Sequence, residues 1–385
     1  MQRKILVLGA GMVGGAIALD LAKDERFNVT VADYNADALA KVAAAGRMQV
    51  LHRDLSDPAM VREVAGSFDM VVNAVPGFMG YQTFKAVIEA GKDIVDISFF
   101  IEDPFTVDEL ARKHNVTAAM DCGVAPGMCN VLIGDAHHLL DVTDNVVYYV
   151  GGLPAIREWP YEYKAVFSPA DVLEEYTRPA RFIVGGTTVV KPALSDPELM
   201  DFPGVGTLEA FNTDGLRSLV RTIKAPNMTE KTLRYPGHIE KMRMLRETGF
   251  FSKEEMLVGG VKIRPLDLTS SLLFPKWKFT EADVDITVMK VVVEGMKNEK
   301  RTRFTWDLLD RKDEKTGIHS MARCTGYTAT VALRMIADGV FNQKGVIVPE
   351  YFGAHPKCVD YLLKGLRERG VVYKEKVEEI QMVKW

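Results

Sequence analysis

Lys4-Ile5-Leu6-Val7-Leu8-Gly9-Ala10-Gly11-Met12-Val13-Gly14-Gly15-Ala16-Ile17 is the stretch that decides the fold of the N-terminal part of this chain. Lys4 to Leu8 is a short apolar run, as expected of a strand buried on both faces. Ala16 to Lys23 has helical spacing. Between them the glycines follow G-x-G-x-x-G. That pattern is weak alone. Here it has a strand before it, a helix after it, and an acid, Asp33, 19 positions beyond Gly14 at the end of the next strand. Each glycine has its own task. Gly9 permits a tight turn, Gly11 lets a pyrophosphate approach the backbone, and Gly14 lets helix and strand pack closely. The N–H groups of the helix start, at Met12 and Val13, face the phosphates. Asp33 can accept hydrogen bonds from ribose hydroxyls. Its charge repels a 2′-phosphate, and Tyr34 and Asn35 add no positive charge. The expected cofactor is therefore NAD.

Outward from this motif, strands and helices alternate. Strands are expected at Val29–Ala32, Met48–Leu51, Met70–Ala74, Asp93–Ile97 and Thr117–Met120. Helices are expected at Ala36–Ala45, from Pro58, at Tyr81–Ala90 and at Val107–His114. This alternation predicts a doubly wound parallel sheet of the Rossmann type. Ligands of such sheets sit at the carboxyl ends of the strands. Asp54 and Leu55 after the third strand are thus expected near the adenine, and Asn73, Ala74, Val75 and Pro76 near the nicotinamide. Asp54 reads equally well as a cap for the helix at Pro58.

Beyond about residue 123 the character changes. Val146–Val150 and Ala180–Val190 read as strands. Asp283–Glu294 alternates apolar and polar residues, and Arg301–Leu308 reads as its hairpin partner. The expected second domain is α+β, with a mixed or antiparallel sheet. Thr325–Ala337 and Tyr361–Glu368 read as helices, followed by a polar tail.

The 385 residues suffice for about two to three domains. A net charge of −4 gives no broad basic field for nucleic acid or an anionic membrane. No apolar run approaches the roughly 20 residues of a membrane span. The N-terminus does not read as a signal peptide, so a cytoplasmic protein is expected. Cys122, Cys129, Cys324 and Cys358 have no CxxC spacing and are expected as buried, reduced thiols without zinc. His137 and His138 are adjacent on a helix and do not share a face for a metal.

Six stretches carry a resemblance: Gly123-Val124-Ala125-Pro126-Gly127, Val150-Gly151-Gly152-Leu153-Pro154, Phe167-Ser168-Pro169 with Glu174–Ala180, Thr213-Asp214-Gly215-Leu216-Arg217-Ser218, Thr232–His238, and Gly326-Tyr327-Thr328-Ala329. In this order the chain resembles the saccharopine dehydrogenase-like family, and within it the L-lysine 6-dehydrogenase branch. The resemblance implies an NAD-dependent dehydrogenase of amino acids. It implies a dinucleotide-binding domain at 1–123 and 320–385, and a substrate-binding and oligomerisation domain at 124–319. It also points to a homo-oligomer, a dimer or a dimer of dimers. Saccharopine reductases carry an acid before the Pro-Gly of the first motif, where this chain has Ala125. That departure favours oxidation of the lysine ε-amine over the saccharopine reaction. A saccharopine- or carboxyspermidine-type dehydrogenase acting on a secondary amine, and a non-catalytic regulatory protein, are the alternatives.

Amine oxidation needs a hydride acceptor, a proton acceptor and a cation for the substrate carboxylate. Arg234 is the expected clamp, with Arg217 as a second clamp or a partner of Asp214. His238 is the candidate base, because its ordinary pKa lies near about 6.5, or else a packed residue in the first turn of a helix. Tyr235 is a proton relay or a packed aromatic. Asp214 can attract the substrate ammonium. Ser98, at the end of the fifth strand, lies where this family presents polar groups to substrate and cofactor, or else is a turn residue. Lys164 reads as a solvated or a functional lysine.

Overall fold

The computed structural model describes residues 2–280 and 282–380. The first half runs β1 (Arg3–Leu8), α1 (Met12–Ala22), β2 (Phe27–Asp33), α2 (Ala36–Ala45), β3 (Gln49–His52), α3 (Pro58–Ala65), β4 (Met70–Asn73), α4 (Gly77–Glu89), β5 (Asp93–Asp96), α5 (Asp108–Lys113), β6 (Thr117–Ala119) and α6 (Met128–Leu139). Then follow β7 (Val142–Pro154), α7 (Pro169–Thr177), β8 (Ala180–Val184), β9 (Thr187–Lys191), β10 (Glu198–Phe202), β11 (Gly206–Asn212), α8 (Leu219–Thr222), β12 (Asn227–Arg234), α9 (His238–Thr248), β13 (Met256–Val258), β14 (Val261–Ile263), α10 (Pro265–Trp277), β15 (Asp285–Lys297) and β16 (Lys300–Arg311). The chain ends with α11 (Ser320–Ala337), β17 (Gly345–Ile347), α12 (Pro349–Gly353), α13 (Pro356–Glu368) and β18 (Tyr373–Glu379).

Two compact units form. The first holds Met1–Leu139 and Ala322–Tyr373; the second holds Leu140–Met321 and the segment from Lys374. These limits differ from those implied by the resemblance. Helix α6 belongs to the first unit because it packs on α12 with backbones nearly touching. A Cβ on Gly134 would lie 2.4 Å from the Glu350 carbonyl, and one on Gly353 2.2 Å from that of Val131. The polar tail is not irregular. Tyr373–Glu379 is β18, an edge strand of the second sheet, and its alternating charges kept it from reading as one. The last five residues of the expected 320–385 segment lie outside the described residues.

The first unit is a seven-stranded sheet in the order β17-β6-β5-β4-β1-β2-β3, with every pair parallel. Ile5, Leu6, Val7 and Leu8 are fully buried, as a strand covered by helices on both faces must be. The order reverses at β1, so the crevice between the carboxyl ends of β1 and β4 is the topological switch point. Helix α1 starts at Met12, four residues before its apolar spacing begins. β17 went unread because it has only three residues. On the outer face, Asp20 of α1 accepts from Arg334 (2.8 Å), Arg369 (2.9 Å) and Thr330 (2.6 Å), which ties α1 to the returning segment.

The second unit is a nine-stranded mixed sheet with the path β10-β11-β12-β7-β15-β16-β18; β8 pairs with β12 and with β9. β12 and β7 run parallel, and β7–β15 and β15–β16 antiparallel. The single strand expected at Ala180–Val190 is a hairpin, turned by Gly185 and Gly186 at φ +57° and +78°. The Asp285 carboxylate accepts from the N–H groups of Ser320 (2.7 Å) and Met321 (3.0 Å), so α11 begins five residues earlier than expected. A small core of Tyr163, Tyr176, Phe211, Ile239, Met242 and Trp277 lies beneath α7, α9 and α10. Among the described residues no helix is long and apolar enough to cross a membrane.

Candidate active site

The glycines of the first loop are held for three different reasons. Gly9 has φ +105°, and a Cβ there would sit 2.7 Å from the Ala74 carbonyl across the switch point. A Cβ on Gly14 would sit 2.1 Å from the Gly9 carbonyl. Gly11 is the exception: a Cβ there would meet no protein atom within 4 Å. Among the described residues nothing fills the space beside Gly11, which leaves room there for a ligand. Gly11 is the N-cap of α1 without a side-chain cap, which leaves the first-turn N–H groups of α1 to an anion. Asp33 accepts from the N–H of Ala10 (2.6 Å) and of Asn35 (2.8 Å). One carboxylate thus fixes the loop and stands at the end of β2. These residues fit the diphosphate and ribose of a dinucleotide.

The other expected cofactor residues divide. Val75 and Leu55 turn their side chains into the core, so only their backbone can face a ligand. Pro76 is the N-cap residue of α4, and Ala74 is bonded back to Leu8. Asp54 is exposed and accepts from the Ser56 N–H (2.9 Å), while the cap of α3 is Asp57. The capping role expected for Asp54 is corrected: Asp57 stands immediately before Pro58.

At the carboxyl ends of β4 and β5 is a buried polar cluster. Asn73 Nδ2 donates to Asp96 Oδ2 (2.5 Å). Ser98 donates to Asp96 from its N–H (2.9 Å) and its hydroxyl (2.9 Å to Oδ1, 3.0 Å to Oδ2). A Cβ on Gly80 of α4 would lie 2.2 Å from Ser98 Oγ, so only glycine there leaves room for the hydroxyl. Burial pushes the Asp96 carboxyl up to about 7 against the lowering by these bonds, and Asp121 pushes it further. Sequence reading named Asn73 and Ser98 but passed over Asp96 as a strand residue. An acid as the last residue of a parallel strand was the available signal.

In the second unit the expected catalytic group is brought together but engaged internally. Arg234 ends β12 and is 2% exposed. It donates to Glu175 (2.7 Å), Tyr176 Oη (3.1 Å) and the Leu233 carbonyl (3.0 Å), and its guanidinium lies 4.5 Å from the Tyr163 ring centre. It is therefore a neutralised core cation, not a free carboxylate clamp. His238 opens α9 and is 1% exposed. Its Nδ1 faces the Tyr161 carbonyl (2.8 Å), which only accepts, so Nδ1 carries the proton. Nε2 then accepts from Tyr176 Oη (2.9 Å). Burial and Arg234 push His238 down to about 3. With both nitrogens engaged, it is not the general base. Arg234, Tyr176 and His238 donate in turn, ending on the Tyr161 carbonyl, in one directed chain that rigidifies this core.

Tyr235 donates to the Pro154 carbonyl (2.9 Å) under Arg157; it is the packed aromatic, not a relay. Asp214 is held by Arg181 through two bonds (2.8 and 2.9 Å). Its partner is thus Arg181 rather than Arg217, and its charge is compensated. Arg217 is half-buried at φ +53°. Lys164 pairs with Asp283 (2.5 Å) and Glu158 (3.3 Å). Sequence reading missed Glu175, Tyr176 and Tyr163, which supply the core around Arg234. It also missed Glu230, which is buried on Thr213 and Gly215 and pushed up to about 8 by burial. The four cysteines are buried and none is in a disulfide.

Residues 5–119 match the saccharopine dehydrogenase NADP binding domain, and residues 123–371 the saccharopine dehydrogenase C-terminal domain. The chain belongs to the saccharopine dehydrogenase family. It is 24% identical over 454 residues to the NADP(+), L-glutamate-forming saccharopine dehydrogenase of Pyricularia oryzae, covering 97% of this chain and 99% of that protein. It is 21% identical to the mitochondrial alpha-aminoadipic semialdehyde synthase of Mus musculus, covering 97% of this chain and 47% of that protein. The fold is that of the apo L-Glu-forming saccharopine dehydrogenase of Saccharomyces cerevisiae, with TM-score 0.80, 19% identity, and coverage of 98% of this chain and 100% of that one. The homospermidine synthase of Legionella pneumophila, solved with NAD, has TM-score 0.67 and 10% identity, covering 100% of this chain and 93% of that one. As a saccharopine dehydrogenase-type protein, the chain is a dinucleotide-binding oxidoreductase, a dehydrogenase acting on amino-acid C–NH bonds.

Proposed function

We propose that this enzyme oxidises the ε-amine of L-lysine, with NAD as the hydride acceptor, to a semialdehyde that cyclises to a piperideine carboxylate. The observation that carries the substrate reading is Ala125. The turn between β6 and α6 presents a methyl group where saccharopine reductases place an acid. Asp33 supports NAD, because a carboxylate at the end of β2 accepts from a ribose 2′-hydroxyl and repels a 2′-phosphate. Bound nicotinamide supplies the hydride-accepting ring. The chain's own part is to hold the diphosphate on Gly11 and the first turn of α1, and to fix the ribose with Asp33. It must also accept the proton that the substrate ammonium loses.

A second reading, a dehydrogenase of a secondary amine such as saccharopine, is favoured by the names of the curated relatives and by their NADP. Purified protein is given NAD or NADP with L-lysine, saccharopine and other diamines, and reduced cofactor is followed. Turnover with lysine and NAD supports the proposal. Turnover only with saccharopine replaces it with the second reading. The proposal includes a homo-oligomer, read by sedimentation velocity; a monomer at working concentration removes that part.

A further inference from the structure

The buried cluster at the ends of β4 and β5 does more than close a turn. We propose that Ser98 and Asp96 form a proton relay for amine oxidation, in which Ser98 is the port and Asp96 the acceptor. The inference rests on the amine-dehydrogenase chemistry of the family, not on lysine as the particular substrate.

Geometry sets the direction. Asp96 and Asn73 are fully buried, while Ser98 keeps 4% of its surface. A proton from outside therefore meets Ser98 first. Its hydroxyl already points at both Asp96 oxygens, at 2.9 and 3.0 Å. In the step, an N–H bond of the substrate ammonium breaks and its electron pair stays on nitrogen. The proton bonds to Ser98 Oγ as Ser98's own hydroxyl proton passes to the Asp96 carboxylate. Ser98 ends unchanged, Asp96 ends as the acid, and neither is oxidised. The freed nitrogen pair then forms the C=N bond of an iminium as hydride leaves the adjacent carbon, for which a bound nicotinamide would be the acceptor.

A second observation supports the relay. Asn73 Oδ1 is buried without a hydrogen-bond partner, although Nδ2 of the same amide holds Asp96. A buried acceptor left empty is costly. A half-turn of the amide exchanges two groups of nearly equal size. Nδ2 donates to Asp96 as carboxylate; after the turn, Oδ1 accepts from Asp96 as acid. Asn73 can thus serve both states of the relay. Among the described residues the charged group facing Asp96 is Asp121, after the end of β6. Cys122 beside it is pushed well up by burial and stays a neutral thiol. A carboxyl near 7 in these surroundings takes up a proton around neutrality.

Two measurements test this on the whole protein. Infrared difference spectra of the cofactor-free protein should show a buried carboxylic acid losing its proton at about 7, below the separate step of buried Glu230 at about 8. The lower step should vanish in Asp96→Asn, whose amide still accepts the Ser98 N–H. The pH dependence of kcat/KM is then compared with whichever amine turns over. Asp96→Asn and Ser98→Ala should each lose about 100-fold or more in kcat, the usual worth of a positioned acid–base group. KM for the amine should stay near wild type, and the acid limb should disappear in Asp96→Asn. Should Asp96→Asn fail to fold, Ser98→Ala carries the kinetic arm, since it leaves Asp96 and its backbone bond in place. A band titrating at about 7 that persists in Asp96→Asn, or variants that keep the wild-type limb and kcat, overturn the relay. Inert lysine beside an active second amine overturns only the lysine reading.

Discussion

Gly11→Ala and Gly11→Ser separate folding from cofactor binding, because a Cβ at Gly11 meets nothing in the protein. The folding cost is small and has a calculable sign. Gly11 is the N-cap of α1. Alanine is a poorer N-cap than glycine by about 0.5–1 kcal/mol, and serine is a better one. Gly11→Ser should therefore melt at or above the wild type. Both variants put a methyl or methylene group where a pyrophosphate must approach the first-turn N–H groups. Losing one charge-assisted hydrogen bond costs about 1.5–3 kcal/mol, which weakens binding about 10- to 150-fold. Gly14→Ala is the contrasting variant. Its Cβ would lie 2.1 Å from a backbone carbonyl that cannot swing away, so it should lose stability by about 1–3 kcal/mol or more. Thermal denaturation and calorimetric titration with NADH read both quantities without any turnover. A Gly11→Ser protein that is stable and binds NADH as tightly as the wild type would refute the placement of the diphosphate at Gly11.

Asp33→Arg should move preference from NAD toward NADP by at least about tenfold, about 1.4 kcal/mol; an unmoved ratio of dissociation constants removes the ribose contact. His238 should stay neutral with its proton on Nδ1 from about pH 5 to 9, because burial pushes it down to about 3. Its unfolded value is about 6.5, so its contribution to stability is complete above about 6.5 and is lost as pH falls toward about 3. Ring nitrogen NMR showing titration near 6.5 would end that argument. Asp20→Asn should destabilise the protein by about 3 kcal/mol, the lower end for breaking a buried pair, since Arg334 keeps Asp24 (3.1 Å). Burial raises Asp20, but Arg334 and Arg369 outweigh it and hold it below the carboxylate range. The pair therefore stabilises above about pH 3.9 and fades as pH falls further. Urea midpoints for wild type and variant should converge in acid; a constant gap contradicts the pairing.

The first unit was legible because its physics is local. A buried parallel strand needs a continuous apolar run, and a diphosphate turn needs glycines at fixed offsets, so Lys4 to Gly14 declares itself. The strands that escaped reading were those whose pattern is set by partners far away. β17 has three residues and exists by pairing with β6. β18 is a row of charges beside β16. Site residues obey the same division. Asp33 and the glycines act through their own loop, so a local pattern names them. Arg234 and His238 were chosen for chemical type, and type does not report what a side chain touches. Glu175 and Tyr176 lie about 60 positions away in sequence, yet they consume the guanidinium and the imidazole.

The opposite error occurred at Asp96. It was read as the interior of a strand, although strand ends are where a doubly wound sheet does its chemistry. Its neighbours decide its character. Without Asn73 and Ser98 it would be an unpaired buried acid, which costs several kcal/mol. With them it is a buried acid with an ordered donor on each side. Arg234 has a carboxylate to match its charge; among the described residues Asp96 has no cation within its cluster. A carboxyl held only by neutral donors and facing a second acid changes its protonation near neutrality. By that criterion the proton chemistry of this enzyme belongs to the ends of β4 and β5, and the histidine that the sequence offered for it belongs to the core.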